Sequence, residues 1–289
     1  KLVERAITAY NYIVKAKARY PAAEPIAVPV IKDWTKVRAM SLEKIKDILE
    51  SFETTRLKIE QLVFEEQVKL MDRAQIIQMY DKILAGEEEV FDPPVYFEWN
   101  TYRALVAIDN ANVLPNFVMD EDHQPVSHAA GNRPDLIAEF DDFIVVTEVT
   151  LQTGKRQYMV EREPVVDHVG CIQKEERSKP TPRNVFGLFI APKIVPNTVN
   201  YFYISAQTDT EEYEGPVLVI PIELNEFIDM VEFSGQVEKL KQDEIKQLML
   251  RFLKAFESAK KPSDWRRLIV NNIMEWKKAI VLDRKKKKN

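Results

Sequence analysis

Residues 132–150 read NRPDLIAEFDDFIVVTEVT, in which a Pro-Asp pair precedes two apolar segments. The second segment, residues 143–150, is rich in β-branched side chains and follows the turn-forming pair Asp141-Asp142, so we expect a buried strand there. The first segment, Leu136 to Phe140, is long enough to form another strand. A tight turn at Asp141-Asp142 would join the two strands as a hairpin.

Glu148 interrupts the apolar strand. Burying a carboxylate costs several kcal/mol unless the group is paired or holds a metal. Because side chains alternate along a strand, Glu148 and Thr150 share one face while Val149 lies on the other. The hairpin would bring Asp135 and Glu148 to one point. Two such carboxylates suit Mg²⁺, which takes its remaining ligands from water and a substrate phosphate.

Three polar residues follow the hairpin at helical spacing. Gln157, Glu161 and His168 are separated by four and seven residues, which would put them on one face of a helix. Pro164 either kinks that helix or opens a new one. An imidazole titrates near neutrality, so His168 is suited to moving a proton, although a surface role is equally open. Gln157 is expected to be structural.

A Pro-Asp pair, a spacer and Glu-x-Lys on a strand form the signature of the PD-(D/E)xK nucleases. Residues 134–150 resemble that signature, except that Thr150 stands where the lysine usually is. Further blocks extend the resemblance: YFEWNTYRAL at 96–105, GNRPDL at 131–136, EVTL at 148–151 and GKRQY at 154–158. Together they resemble the cleavage half of the AlwI family of type IIS restriction endonucleases, which includes BstNBI-type nicking enzymes.

This resemblance implies an α/β fold of the restriction-endonuclease type, with a central mixed sheet flanked by helices. It also implies hydrolysis of a phosphodiester in double-stranded DNA, with Mg²⁺ as the cofactor and Mn²⁺ as a substitute. Asp135 and Glu148 would hold the metal, aided by Glu98 or by a backbone carbonyl beside Glu148. Glu161 or His168 would orient the attacking water.

The absent lysine leaves two interpretations open. Either Lys155 or Arg156 contacts the phosphate in its place, or the chain is a catalytically silent DNA-binding or dimerisation subunit that keeps the fold.

Simpler structural roles are also open for single residues. Asp135 has the alternative of capping a turn, and Glu148 that of facing water on an edge strand. His123 and His128 lie in a polar loop with Asp120, Glu121 and Asp122, where metal binding is open but exposed loop charge is the expected role.

The first ninety residues are expected to be helical. Apolar residues recur at helical spacing from Leu2 to Ile13, from Leu42 to Phe52 and from Ile76 to Ile83;. Ser41 is a candidate N-cap and Gly86 a helix end. The charges and prolines of residues 87–94 mark a boundary. We therefore predict a helical linker region at 1–90, followed by the cleavage domain at 91–289.

Within the cleavage domain the sequence predicts further elements around the hairpin. Glu98 begins an amphipathic helix that continues through Ile108. Buried strands are expected at 185–191 and 217–222. Helical spacing covers 227–259 and 265–281, and Pro262 must break the run between them.

Composition agrees with a folded protein, since 45% of the residues are hydrophobic;. The single cysteine excludes an internal disulfide and a cysteine-based zinc site, as expected for a cytoplasmic prokaryotic protein;. No apolar stretch approaches the ~20 residues that span a bilayer, so no membrane contact is expected. The net charge of −5 is unusual for a DNA enzyme;. A cleavage module detached from its recognition module would tolerate that charge.

The start at Lys1 is expected to reflect an excised fragment that lacks an N-terminal recognition module. One active site cuts one strand, so the chain is expected to nick DNA as a monomer. Double-strand cutting would need self-dimerisation or a second nuclease subunit.

Overall fold

The computed structural model describes residues 1–108, 111–120, 122–128, 133–237 and 240–288. By its internal contacts the chain forms two compact units, Lys1–Leu70 and Met71–Asn289. No helix among the described residues is long and apolar enough to cross a membrane.

The first unit is helical. Its elements are α1 (Leu2–Arg19), a 3₁₀ turn (Pro21–Ala23), α2 (Trp34–Arg38) and α3 (Leu42–Leu70). The apolar stripe of α1 packs against α3, with Ala6, Ile13 and Ile59 in the shared core. Ser41 Oγ accepts a hydrogen bond from the Lys44 backbone N–H at 3.4 Å, so the predicted N-cap is present.

The second unit is a mixed sheet flanked by helices, which confirms the predicted α/β fold. Its helices are α4 (Arg73–Ala85), α5 (Pro93–Ile108), α6 (Gly154–Arg177), α7 (Pro196–Ser205), α8 (Leu224–Gln236), α9 (Gln242–Ser258) and α10 (Pro262–Lys288). Its strands are β1 (Asn112–Pro115), β2 (Val118–Met119), β3 (Pro125–Ser127), β4 (Leu136–Glu139), β5 (Phe143–Val149), β6 (Asn184–Ala191) and β7 (Val219–Glu223).

The main sheet has the strand order β1-β4-β5-β6-β7. β1, β4 and β5 are antiparallel neighbours, whereas β5, β6 and β7 run parallel. β2 and β3 form a separate two-stranded ribbon. β5 therefore lies in the interior of the sheet, and this position rules out an edge-strand reading of Glu148.

The predicted hairpin is formed by β4 and β5. These strands pair in antiparallel register with Leu136 opposite Thr147, and the bend at Asp141-Asp142 joins them. Extending that register by one position sets Asp135 beside Glu148. The turn and the alternation of side chains thus bring the two acidic residues of the motif together.

The two units meet between Leu70 and Met71, whereas the sequence predicts a boundary after residue 90. The difference arises because α4 packs against α5 and α8 of the second unit. Asn100 Nδ2 donates to the Ile76 carbonyl at 2.9 Å, and the hydroxyl groups of Tyr80 and Thr101 lie 3.0 Å apart. Gly86 ends α4 in the left-handed conformation, with φ of 65°;. Residues 87–92 are consequently a connection inside the second unit.

Two helical predictions need correction. The sequence predicts an amphipathic α5, but almost every residue of α5 is buried, because helices and strands of the sheet contact it on several sides.

The apolar run at 227–259, which the sequence predicts as one helical segment, is two helices, α8 and α9. Val237 is extended, and the Glu244 carboxylate accepts the Lys241 backbone N–H at 2.7 Å, which starts a new helix there;. As predicted, Pro262 breaks the following run, and α10 begins at that residue.

Gln157 joins α6 to the loop that follows β6. The residue is fully buried. Its Nε2 donates to the carbonyls of Gln152 at 3.0 Å and Lys193 at 2.7 Å, while its Oε1 accepts from the Val195 N–H at 3.0 Å. These bonds fix the first turn of α6 at the sheet edge where β5 and β6 end.

Candidate active site

Asp135 and Glu148 occupy neighbouring positions on the two strands of the hairpin. Asp135 Oδ2 accepts the backbone N–H of Val149 at 2.8 Å. Glu148 is the second-to-last residue of β5, and the residue is only 7% exposed. The hairpin therefore holds two carboxylates together at the end of a central strand.

α6 adds two further residues to the hairpin carboxylates. Pro164 lies inside α6 without ending it, so Glu161 and His168 reach the same cavity. His168 Nδ1 lies 2.7 Å from Glu148 Oε1, and the Thr150 hydroxyl donates to Glu161 Oε1 at 2.7 Å. At the position where the motif usually has lysine, Thr150 thus holds a carboxylate and supplies no cation.

α5 contributes Glu98, which contacts a histidine that the sequence analysis assigned to exposed loop charge. His128 Nδ1 lies 2.7 Å from Glu98 Oε1, and its side chain is half exposed. The loop prediction for His128 therefore missed its place at the site, because the short β2–β3 ribbon that carries it has no periodic pattern. His123 meets α5 through its backbone carbonyl instead. Glu121 lies outside the described residues.

These acidic and histidine side chains face one cavity of about 400 Å³. Its polar lining side chains are Glu98, His128, Asp135, Glu148, Thr150, Gln152, Glu161 and His168. Among the described residues, no lysine or arginine belongs to this lining. Lys155 and Arg156 are exposed in the first turn of α6, outside the cavity.

The electrostatics of the cavity disfavour ionised carboxylates. Burial raises the pKa of Glu148, and the charges of Glu161 and Glu98 raise it further. The pKa of Asp135 is raised by burial and then by Glu148 and Glu98, and burial also raises the pKa of Glu161. Burial lowers the pKa of His168. Both partners of the Glu148–His168 contact thus favour their neutral forms, which makes it a hydrogen bond more than an ion pair.

A hard divalent cation is the group that would relieve this accumulation of negative charge. In the part of the chain that the structure describes, no group of three or more His, Cys, Asp or Glu side chains is arranged to hold a metal ion, so Glu98 does not complete a three-ligand set with Asp135 and Glu148. Mg²⁺ commonly takes only one or two protein carboxylates and completes its shell with waters and substrate phosphates. Asp135 and Glu148 fit that mode of binding.

Comparison with known proteins assigns the chain to a family. Residues 26–230 match the AlwI restriction endonuclease family. The chain belongs to that family. No curated protein sequence matches the chain significantly. Among solved structures, the chain resembles the small subunit of the heterodimeric restriction endonuclease R.BspD6I, with a TM-score of 0.55 and 22% identity over 70% of this chain and 98% of that one. At this identity the likeness shows the fold alone.

The AlwI-family blocks recognised in the sequence converge in space. The block at 96–105 lies in α5 and carries Glu98, the hairpin carries Asp135 and Glu148, and the block at 154–158 opens α6. Gly131 and Asn132, the first two residues of the block at 131–136, lie outside the described residues. The structure thus gathers all the acidic residues that the AlwI resemblance implied, while their individual roles stay predictions.

Glu148 should make the stability of the metal-free chain depend on pH. Its raised pKa means that the folded state keeps a proton that the unfolded state releases. This contribution to stability is therefore present below the ordinary pKa of 4.5 and is lost as the pH rises through the folded value;. Glu148→Gln cannot titrate, so we expect its free energy of unfolding to fall less steeply between acidic and neutral pH. Urea unfolding in EDTA over a pH series measures how steeply the free energy of unfolding changes with pH in the parent chain and in Glu148→Gln.

Glu175→Gln, an exposed substitution on the same helix α6, is the matched control and should follow the parent chain. Equal pH slopes for the parent and Glu148→Gln would contradict the assignment of a raised pKa to Glu148.

Proposed function

We propose that this chain is the cleavage part of a type IIS restriction or nicking endonuclease, which hydrolyses one strand of double-stranded DNA with Mg²⁺. The proposal rests on the cavity that carboxylates from α5, the β4–β5 hairpin and α6 line together. Membership of the AlwI family supports DNA as the substrate.

Asp135 and Glu148 would hold the cation from adjacent strands, with Glu98 of α5 close by. When bound, the ion would polarise a phosphoryl oxygen and lower the pKa of a bound water. The Val149 N–H and the His168 ring each occupy one oxygen of these carboxylates. Those contacts fix the direction of both side chains, and such preorganisation of a site reduces the cost of reaching the transition state.

Glu161 and His168 are the candidates for orienting the attacking water. Thr150 holds the Glu161 carboxylate at the cavity wall, and the raised pKa of Glu161 brings that group closer to neutral pH, where a general base is most effective;. The lowered pKa of His168 keeps its imidazole neutral and able to accept a proton;. Both roles are chemically sound, and substitution decides between them.

Lys155 or Arg156 would contact the DNA phosphate in place of the absent motif lysine. Both are exposed in the first turn of α6. This helix begins at Gly154, shortly after β5 ends at Val149. The positive end of the helix dipole favours an anion at this turn.

A catalytically silent subunit is the second candidate function. The observation that favours it is Thr150, which gives the cavity a hydroxyl at the position where the motif usually has a cation. In this reading the chain would keep the fold for DNA binding or dimerisation and would show no metal-dependent cleavage.

Substitution of the paired carboxylates separates the two candidates. We expect Asp135→Asn and Glu148→Gln each to abolish Mg²⁺-dependent nicking of supercoiled plasmid, because each removes a charged oxygen ligand while preserving the shape of the side chain. Glu175→Gln should cut at the parental rate. If the parent chain fails to nick at high concentration with either Mg²⁺ or Mn²⁺, the silent subunit is the better account.

Replacement of His168 tests proton transfer. His168→Ala should lower the single-turnover nicking rate by ~10²-fold, the usual scale for loss of a general acid or base. Glu161→Gln is the companion variant, and the larger loss identifies the group that activates the water. Near-parental activity of His168→Ala would remove the histidine from the mechanism.

The order of the products tests how many strands one chain cuts. Within the described residues, a single hairpin carries the paired carboxylates, so dilute protein should give open circles first. Linear DNA should appear late and rise more steeply than linearly with protein concentration, since a second site must come from self-dimerisation or a partner subunit. Immediate linear product without an open-circle intermediate would contradict the single-site account. Gel analysis of the time course distinguishes these outcomes.

A further inference from the structure

We infer that His128 is a positioning residue of the cleavage site, which orients Glu98 as His168 orients Glu148. The inference rests on the proposed function, because Glu98 matters here only as an acidic group beside the cation. It concerns a residue that the sequence pattern assigned to exposed loop charge.

The contact between His128 and Glu98 involves the same atoms, at the same distance, as the contact between His168 and Glu148. His128 Nδ1 lies 2.7 Å from Glu98 Oε1, and His168 Nδ1 lies 2.7 Å from Glu148 Oε1. Glu98 and Glu148 are both 7% exposed. Each carboxylate is therefore a buried group that an imidazole contacts through the same ring nitrogen.

The β2–β3 ribbon delivers His128 to Glu98 in a fixed position. His128 directly follows β3, which packs against α5. Trp99, the neighbour of Glu98 in α5, donates its indole N–H to the His123 carbonyl at 2.9 Å. At the tip of the ribbon, Asp120 Oδ1 accepts the N–H groups of Asp122 and Gln124, each at 2.9 Å. The ribbon is thus anchored to the helix that carries Glu98.

The second ring nitrogen of His128 makes no comparable contact with the carboxylate that it approaches. His128 Nε2 lies 3.8 Å from Asp92 Oδ2, which is beyond hydrogen-bond distance. Glu98 is accordingly the partner that defines the ring orientation. Groups that orient a ligand or a neighbouring acid in this way are typically worth 10–100-fold in metal affinity or activity when removed.

Three variants test the inference: His128→Ala, His128→Asn and His123→Asn. Asparagine can place an amide N–H where His128 has Nδ1, so it keeps the contact with Glu98. His123→Asn is the matched control on the same ribbon, and asparagine tolerates the left-handed backbone there, with φ of 59°;. The readouts are Mn²⁺ binding, followed by the electron paramagnetic resonance signal of the free ion, and single-turnover nicking.

We expect His128→Ala to weaken Mn²⁺ binding and nicking by ~10-fold or more, with His128→Asn close to the parent and His123→Asn unchanged. Parental Mn²⁺ binding and nicking by His128→Ala would overturn the inference and leave the proposed function intact. An equal loss in His128→Ala and His128→Asn, accompanied by a lower melting temperature in both, would also overturn it, because His128 would then only anchor the ribbon. A parent chain that neither binds Mn²⁺ nor nicks DNA would overturn the proposed function, and the inference with it.

Discussion

The burial of two carboxylates on adjacent strands is the constraint on which the proposed site depends. The antiparallel register of β4 and β5 sets Asp135 beside Glu148. Burial raises the pKa of both carboxyl groups. The Val149 N–H and His168 offset part of this cost. The remaining repulsion is what a divalent cation would relieve, so the energetic cost of the site and its proposed chemistry have the same origin.

The elements around the hairpin can be understood as supports for these carboxylates. α6 contributes Glu161 and His168 from one face, and Gln157 fixes the first turn of the same helix to the loop after β6. α5 is buried on nearly all sides, which makes it a rigid carrier for Glu98. A site assembled on a helix and a strand of the core holds its side chains more closely than one assembled on loops.

Local patterns made much of this arrangement predictable, whereas tertiary contacts decided the rest. The β-branched run located Glu148 in β5, and the helical spacing of Glu161 and His168 held through Pro164. The pattern did not locate His128, because a three-residue strand has no periodicity to detect. Nor did it assign α4 to the second unit, since the packing of α4 on α5 is not encoded in either helix alone. The break between α8 and α9 was missed because apolar spacing continues across it.

A crystal of the parent chain soaked in Mn²⁺ tests the central claim most directly. The account predicts an anomalous diffraction peak between the carboxylates of Asp135 and Glu148, which Glu148→Gln should remove. A structure with no peak there, or with Mn²⁺ bound only at other surface carboxylates, would contradict the account that these two residues form a metal-dependent cleavage site.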